Sequence, residues 1–284
     1  MALYGRLSLS IAKRLDAGDR NSGILGWIVL IALVLVPAAL LTWIAAAIHP
    51  VVLWLLDIVV LYYTVRFLST AAHLSAIETA LRAGDVSGGA NRLAEWIGEP
   101  IEAQEAGLVS RLAAEQALLD SHHGTFALLF WFLVLPGPLG LVLYPLALRA
   151  ARSWQYLREA EESEHDFGWF AARAFHAIDW IPQRVTAFVF AIVGDFEDAL
   201  YCWRSQSSQW VTPGEGIVLA SGAGALGVKL GEPIASGSGS IDRPLLGVGE
   251  PAREDALTSL AGLLWRALIV WMIVYLLVAA IRGA

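Results

Sequence analysis

An all-α integral membrane protein is the fold class this sequence predicts, and three observations predict it. Of the 284 residues, 57% are hydrophobic and only 16% are charged, against roughly half and about a quarter in soluble domains. Several long stretches carry no ionisable side chain. Twelve tryptophans suit a chain with two water–lipid boundaries. The expected architecture is a single domain over 1–284, a bundle of three to five transmembrane helices. Helical polar segments lie between them, and a Gly/Ser-rich loop precedes the last helix. The net charge of −7 argues against a nucleic-acid binder, which would show a basic face. Cys202 is the single cysteine, which excludes an intrachain disulfide framework and a multi-cysteine metal site.

Each span follows from an uncharged run. A helix needs about 20 apolar residues to cross a hydrocarbon core of about 30 Å. Residues 23–48 meet that length, with Pro37 predicted to kink the helix. The run is too long for a signal peptide and shows no small-residue cleavage pattern, so no cleaved leader is expected. After His49-Pro50, residues 51–68 are long enough to cross but carry Asp57 near the middle. A carboxylate there faces a partner or a polar cavity, or else the helix packs on the protein. Residues 126–148 form the third span, interrupted by Pro136-Gly137-Pro138 and Pro145. Residues 260–281 form the last, with Arg266 snorkelling toward the headgroups. Val185 to Val193 is too short to span and reads as a buried or interfacial helix.

Arg6, Lys13, Arg14 and Arg20 flank the first span and favour a cytoplasmic N-terminus; the expected location, on the resemblance described below, is the inner (plasma) membrane, multi-pass. Charge bias prefers three spans, whereas the resemblance described below prefers four.

The polar regions 69–125 and 149–204 read as helical. Ala71, Leu74, Ile77 and Leu81 recur at helical spacing before a stop at Gly84-Asp85. Asn91 to Ile97 is a short helix. Glu105 to Leu119 is another, with Leu108, Leu112, Glu115 and Leu119 on one face. Residues 205–256 are rich in Gly, Ser and Pro and read as the loop, with Ser236 to Ser240 linker-like. No β-alternation stands out.

Few residues can carry chemistry. Glu115, Asp120, His122 and His123 cluster before the third apolar run, yet no zinc-ligand spacing accompanies them, and no metal site is expected. His176 and Asp179 are one helical turn apart, with Arg173 and Arg184 close enough in sequence to neutralise Asp179. The small residues from Ala220 to Gly227 suit close approach between packed elements rather than a phosphate-binding loop.

Asp179-Trp180-Ile181-Pro182-Gln183-Arg184-Val185 resembles a signature shared by the CobD/CbiB family and by AmpE-like inner-membrane proteins. Phe188 to Leu200, Trp203, Leu129 to Phe132 and Arg152 to Tyr156 look most like AmpE. Ala223 to Pro233 and Asp242 to Gly247 are similar to the CobD/CbiB family instead. The CobD/CbiB resemblance implies a membrane synthase joining an amino alcohol phosphate to a corrinoid carboxylate, with ATP and Mg2+. Ala114-Glu115-Gln116 matches that family's acidic motif only in part, and its N-terminal His-Pro motif and pre-AGALG histidine are missing.

The erosion leads us to expect a non-catalytic AmpE-like regulatory or signalling component. Its partners would be the lipid bilayer and another envelope protein, with no nucleic acid and no cofactor. The alternative is the synthase, with a corrinoid substrate. In either case the residues expected to bind a ligand are Glu115, Asp120, His122, Asp179 and Arg184.

Overall fold

The computed structural model describes residues 20–101, 105–160, 167–236, 239–241 and 243–283. The chain is mostly helical and divides into two compact units. The first comprises residues 1–65 and 127–180, the second 66–126 and 181–284. Among the described residues, four helical stretches are long and apolar enough to cross a membrane: Asn21–Ile48, Pro50–Arg82, Ala106–Val134 and Glu254–Ile281.

The first unit is built from helices whose outward faces are greasy. Helix α1 (Arg20–Ile48) continues through Pro37. His49 starts α2 (Pro50–Thr64) by accepting a bond on Nδ1 from the Val51 N–H at 3.2 Å. Pro50 sits at the first helical position, where a missing N–H costs nothing. Two apolar clusters hold this unit. Leu30, Leu146, Ala150, Trp154, Phe167 and Ala171 form one, and Ala127, Leu128, Leu141 and Tyr144 the other. The opposite faces stay uncovered: Trp54 is 73% exposed and Tyr62 78%. That pattern fits helices solvated by lipid rather than by water.

The uncharged run at 126–148, expected as one span, is two helices. Helix α6 (Ala127–Val134) stops before Pro136-Gly137-Pro138, and α7 (Leu139–Ala160) starts after it. Two prolines withhold backbone donors, and Gly137 turns the chain at φ +59°. A side chain at Gly137 would strike the Thr42 methyl of α1. The expected span 51–68 is broken as well. Helix α2 ends at Thr64, Val65 is extended, and helical structure resumes with α3 (Phe67–Arg82) in the second unit. Residues 161–166, inside the region 149–204 expected to be helical, lie outside the described residues. Helix α8 (Phe167–Val193) follows them and absorbs the short apolar run 185–193.

In the second unit Asp85 caps α4 (Val86–Ile97), accepting from the Gly88 N–H at 2.8 Å. That bond, with a second from Ser87, holds the Asp85 carboxyl below its ordinary range. Helix α5 (Ala106–Ser121) runs into a π-turn at His122–Phe126. The buried face of α5 differs from the expected one. Leu108, Leu112 and Leu119 are only partly covered, while Val109, Ala113, Ala114, Ala117 and Leu118 are buried. Alanine wins because it lets a neighbouring backbone come close. Gly222 lies so near Leu118 that a side chain there would collide with it.

The described residues of 205–256 are largely helix and strand rather than loop, while Gly237 and Ser238 of the expected linker lie outside them. Helix α9 (Phe196–Gln206) and a 3₁₀ turn (Ser207–Gln209) lead into α10 (Pro213–Leu226). Strand β1 (Val228–Gly231) pairs antiparallel with β4 (Leu245–Gly247) and parallel with β5 (Glu250–Pro251). Strands β2 (Ile234–Ser236) and β3 (Gly239–Ile241) pair with each other. The glycines that look loop-like are packing surfaces: side chains at Gly216 and Gly224 would strike the carbonyls of Ser207 and Asp198. The strands are two to four residues long, too short for alternation to show in sequence. Helix α11 (Glu254–Gly283) closes the chain. Its first half is buried through Leu257, Leu260, Leu263 and Leu264, and its second half exposes Met272, Leu276 and Leu277. Arg82 and Glu78 of α3 both bond Thr258 of α11.

Candidate functional site

Charge inside the second unit gathers along one side of α5. Arg111 and Glu115 are one helical turn apart and share a face. Glu115 is 6% exposed. Its Oε1 accepts from the Gly231 N–H at 2.8 Å, and its Oε2 accepts from Arg243. Arg111 in turn bonds the carboxylate of Glu232. These contacts link α5, the corner after β1 and the residues leading into β4.

The local sequence explains how the backbone reaches the carboxylate. Helix α10 ends in Gly227 at φ +67°, which reverses the chain into β1. Gly231 at φ +79° and Glu232 at φ +67° then form a left-handed corner. Glycine accepts that geometry freely, whereas a residue with a side chain is strained there by about 1–2 kcal/mol. Glu232 accepts the strain and places its carboxylate on Arg111. Arg243 lies with its guanidinium 4.7 Å above the Trp210 ring, so stacking fixes its plane while Glu115 takes one edge.

A second polar group follows at the end of α5. Asp120 accepts from Arg66 and from Thr70 Oγ1, both at 2.5 Å. His122 Nδ1 is 2.9 Å from Thr186 Oγ1 of α8, and its ring lies 4.8 Å from that of His123. The hydroxyls of Ser110, Ser121 and Thr125 are buried with no hydrogen-bond partner among the described residues. The π-turn adds a residue to the helix just where these groups occur, a distortion found often at functional sites.

Of the residues expected to bind a ligand, Glu115, Asp120 and His122 therefore follow one another along α5 and its π-turn. Each bonds a different element, and Arg184 lies partly buried on α8, two residues before Thr186. Asp179 belongs to the first unit. It is 2% exposed and accepts from the Tyr144 hydroxyl at 2.8 Å. His176, its expected partner, points outward, and Arg173 stacks over Trp169 instead. Residue reading missed Arg111, Arg243, Gly231, Glu232 and Arg66. The signal was present. Arg111 stands four residues before a buried-face acid, and Arg243 stands inside a segment that carried the family resemblance.

Fold and site define a helical membrane protein whose charged centre is enclosed by its own helices. Residues 1–281 match the family model described as CobD/Cbib protein, and the chain belongs to the CobD/CbiB family. It is 32% identical over 280 residues to the cobalamin biosynthesis protein CobD of Stutzerimonas stutzeri, covering 97% of this chain and 89% of that one. It is 36% identical over 256 residues to the protein of the same name from Chromobacterium violaceum, covering 89% and 80%. For the one from Photorhabdus laumondii the identity is 26% over 265 residues, covering 90% and 80%. No solved structure matches the chain.

These findings overturn the expected AmpE-like signalling role. Phe188 to Leu200 and Trp203, which carried that resemblance, lie inside the CobD/CbiB match, and the similar proteins are named for cobalamin biosynthesis. The eroded motifs misled because they were judged by residue identity alone. The retained Glu115 is held by Arg243 and by a backbone N–H, neither of which belongs to the acidic motif.

Proposed function

We propose that this chain is a membrane-bound synthase of cobalamin biosynthesis, joining an amino alcohol phosphate to a corrinoid carboxylate at the expense of ATP. One observation carries the reading: Glu115, Gly231 and Arg243 meet in hydrogen-bond contact. They come from the segments that resemble the family, Ala114 to Gln116, Ala223 to Pro233 and the stretch entering β4.

The donor set suits a phosphate-bearing substrate. Arg111 and Arg243 offer the planar forks that match phosphate oxygens. Glu115, once separated from Arg243, is a carboxylate able to take the proton that an attacking amine must lose. The buried position keeps water from competing for an activated carboxylate. Magnesium fits less well at these acids. Both oxygens of Glu115 and both of Asp120 already accept from donors. A dication there would have to displace a guanidinium, so no step is assigned to it.

The protein is expected in the plasma membrane with its N-terminus cytoplasmic. The helices at 21–48, 50–64 and 254–281 face lipid, and Ala106–Val134 crosses as an inner helix. Reporter fusions at residues 90 and 220 test that arrangement. The functional test is complementation. The wild-type chain should restore cobalamin synthesis to a strain lacking the synthase, and Glu115→Ala should not. Failure of the wild-type chain, inserted at normal levels, would remove the enzymatic reading.

A further inference from the structure

Glu115 is held by one arginine and neighboured by another, and neither guanidinium spends all its donors. Arg111 bonds Glu232 from one terminal nitrogen, while its Nε is buried with no hydrogen-bond partner among the described residues. Arg243 bonds Glu115 from one terminal nitrogen. A guanidinium has five N–H donors, so among the described residues both arginines retain unused ones. Their side chains are 12% and 15% exposed, so water reaches little of either. Two forks from different elements, each with donors left over, suit an anion with several acceptor oxygens better than a planar carboxylate.

Charge decides how such an anion enters. Two arginines and two glutamates already cancel, so a doubly negative group must displace carboxylates rather than join them. Glu232 is the more exposed acid of the pair: its side chain is 39% exposed, against 7% for Glu115. Glu115 is buried and keeps its bond to the Gly231 N–H after losing Arg243. Resting on the function proposed above, we propose that Arg111 and Arg243 together bind the phosphoryl group of the phosphate-bearing substrate, and that Glu232 and Glu115 hold their terminal nitrogens until it arrives. Substrate binding then frees Glu115 when a base is needed.

The proposal has a sign that a purely structural ion pair lacks. If Glu232 competes with the phosphoryl group, removing its charge strengthens binding. The test is calorimetric titration of the full-length protein in phosphatidylcholine nanodiscs, which present no net anionic headgroup. The probes are inorganic phosphate, ethanolamine phosphate as a simple amino alcohol phosphate, and magnesium-free ATP. Arg243→Ala and Arg111→Ala should each weaken binding at least tenfold, Arg243→Lys should recover part of the loss, and Glu232→Gln should tighten binding threefold or more. Arg204→Ala, exposed at the end of α9, should bind as wild type. A response confined to ATP assigns the pair to the nucleotide, and one confined to ethanolamine phosphate assigns it to the amino alcohol phosphate. A response common to all three probes assigns it to the phosphoryl group itself.

Wild-type affinity in both arginine variants, or weaker binding in Glu232→Gln, overturns the proposal. Glu232→Gln is nearly isosteric and changes a side chain that is 39% exposed, so it stays informative where an arginine variant fails to fold. Complementation run in parallel separates the two readings. A wild-type chain that complements while the arginine variants bind normally loses the phosphoryl site and keeps the function. A chain that binds as expected but fails to complement keeps the site and loses the function.

Discussion

The second unit buries more charge than the first. In the first, α1 and α2 turn leucine, isoleucine, valine and tryptophan outward, and Asp57 is the one acid within α2. In the second, the same chain buries Glu115, Asp120, His122 and His123 along a helix lined with alanine. Among the candidate spans, Ala106–Val134, whose first 21 residues lie in the second unit, is 67% buried, whereas Glu254–Ile281 of the same unit is 17% buried. The difference teaches where stability resides. An outward leucine in lipid gains little from the fold, because lipid is as apolar as the protein interior. A buried carboxylate depends wholly on its partners, because losing one leaves the other charged and dry.

The sharpest way to break this contrast is Glu115→Ala. It strips Arg243 of its acceptor inside the second unit and should cost about 3–5 kcal/mol, read as a lowered thermal transition in detergent. Glu115→Gln should cost less, since it still accepts from Gly231. A variant as stable as wild type would show that the charged centre is not what holds this unit. Gly222→Val comes next. The new side chain meets Leu118 where α10 crosses α5, and overpacking of that kind costs about 1–3 kcal/mol. A paired Leu118→Ala change should recover part of the loss.

The cap on α4 is a smaller, pH-dependent contribution. The Asp85 carboxyl is held below its ordinary value by the Gly88 N–H and by Ser87. A depressed folded pKa gives stability that is present above the ordinary carboxylate value of about 3.9 and is lost as pH falls through the folded value. Hydrogen exchange at the Gly88 amide should therefore stay slow at neutral pH and lose protection on acidification below about 4. Asp85→Asn should flatten that dependence.

The smallest effects belong to the outward faces. Leu40→Ala on α1 and Leu276→Ala on α11 replace side chains that are 55% and 67% exposed, and each should change stability by less than about 0.5 kcal/mol. A loss of several times that value would mean that the outward face contacts another protein rather than lipid.

Much of this was legible in the chain. Long apolar runs gave the helices at 23–48, which carries no charge, and 260–281, which carries only Arg266. Glu115, Asp120 and His122 were legible as polar residues crowded before an apolar run. The breaks were harder to read. Val65-Arg66 ends α2 although neither residue is a strong breaker, and Pro136-Gly137-Pro138 divides a run that composition joins. The ordered region at 205–256 was misread because glycine and alanine look alike in a loop and in a tightly packed helix, and only the neighbouring carbonyls tell them apart. Arg243 lies inside a segment that carried the resemblance, yet it stands 128 residues from its acid Glu115, and Arg111 stands 121 residues from Glu232. Spacing of that kind carries no local signal.

The enclosed helix also bears on how the protein is made. Ala106–Val134 is the least apolar of the four candidate spans, and it carries Arg111, Glu115 and Asp120. Charged residues at the centre of a span oppose insertion by roughly 2.5–3.5 kcal/mol each when nothing answers them. Arg243, the answer to Glu115, is synthesised long afterwards. If Ala106–Val134 crosses the bilayer as proposed, this segment must wait at the translocation machinery or in the headgroup region until the C-terminal third emerges. A nascent chain halted before residue 243 should leave it extractable by alkaline carbonate, while the finished polypeptide should not.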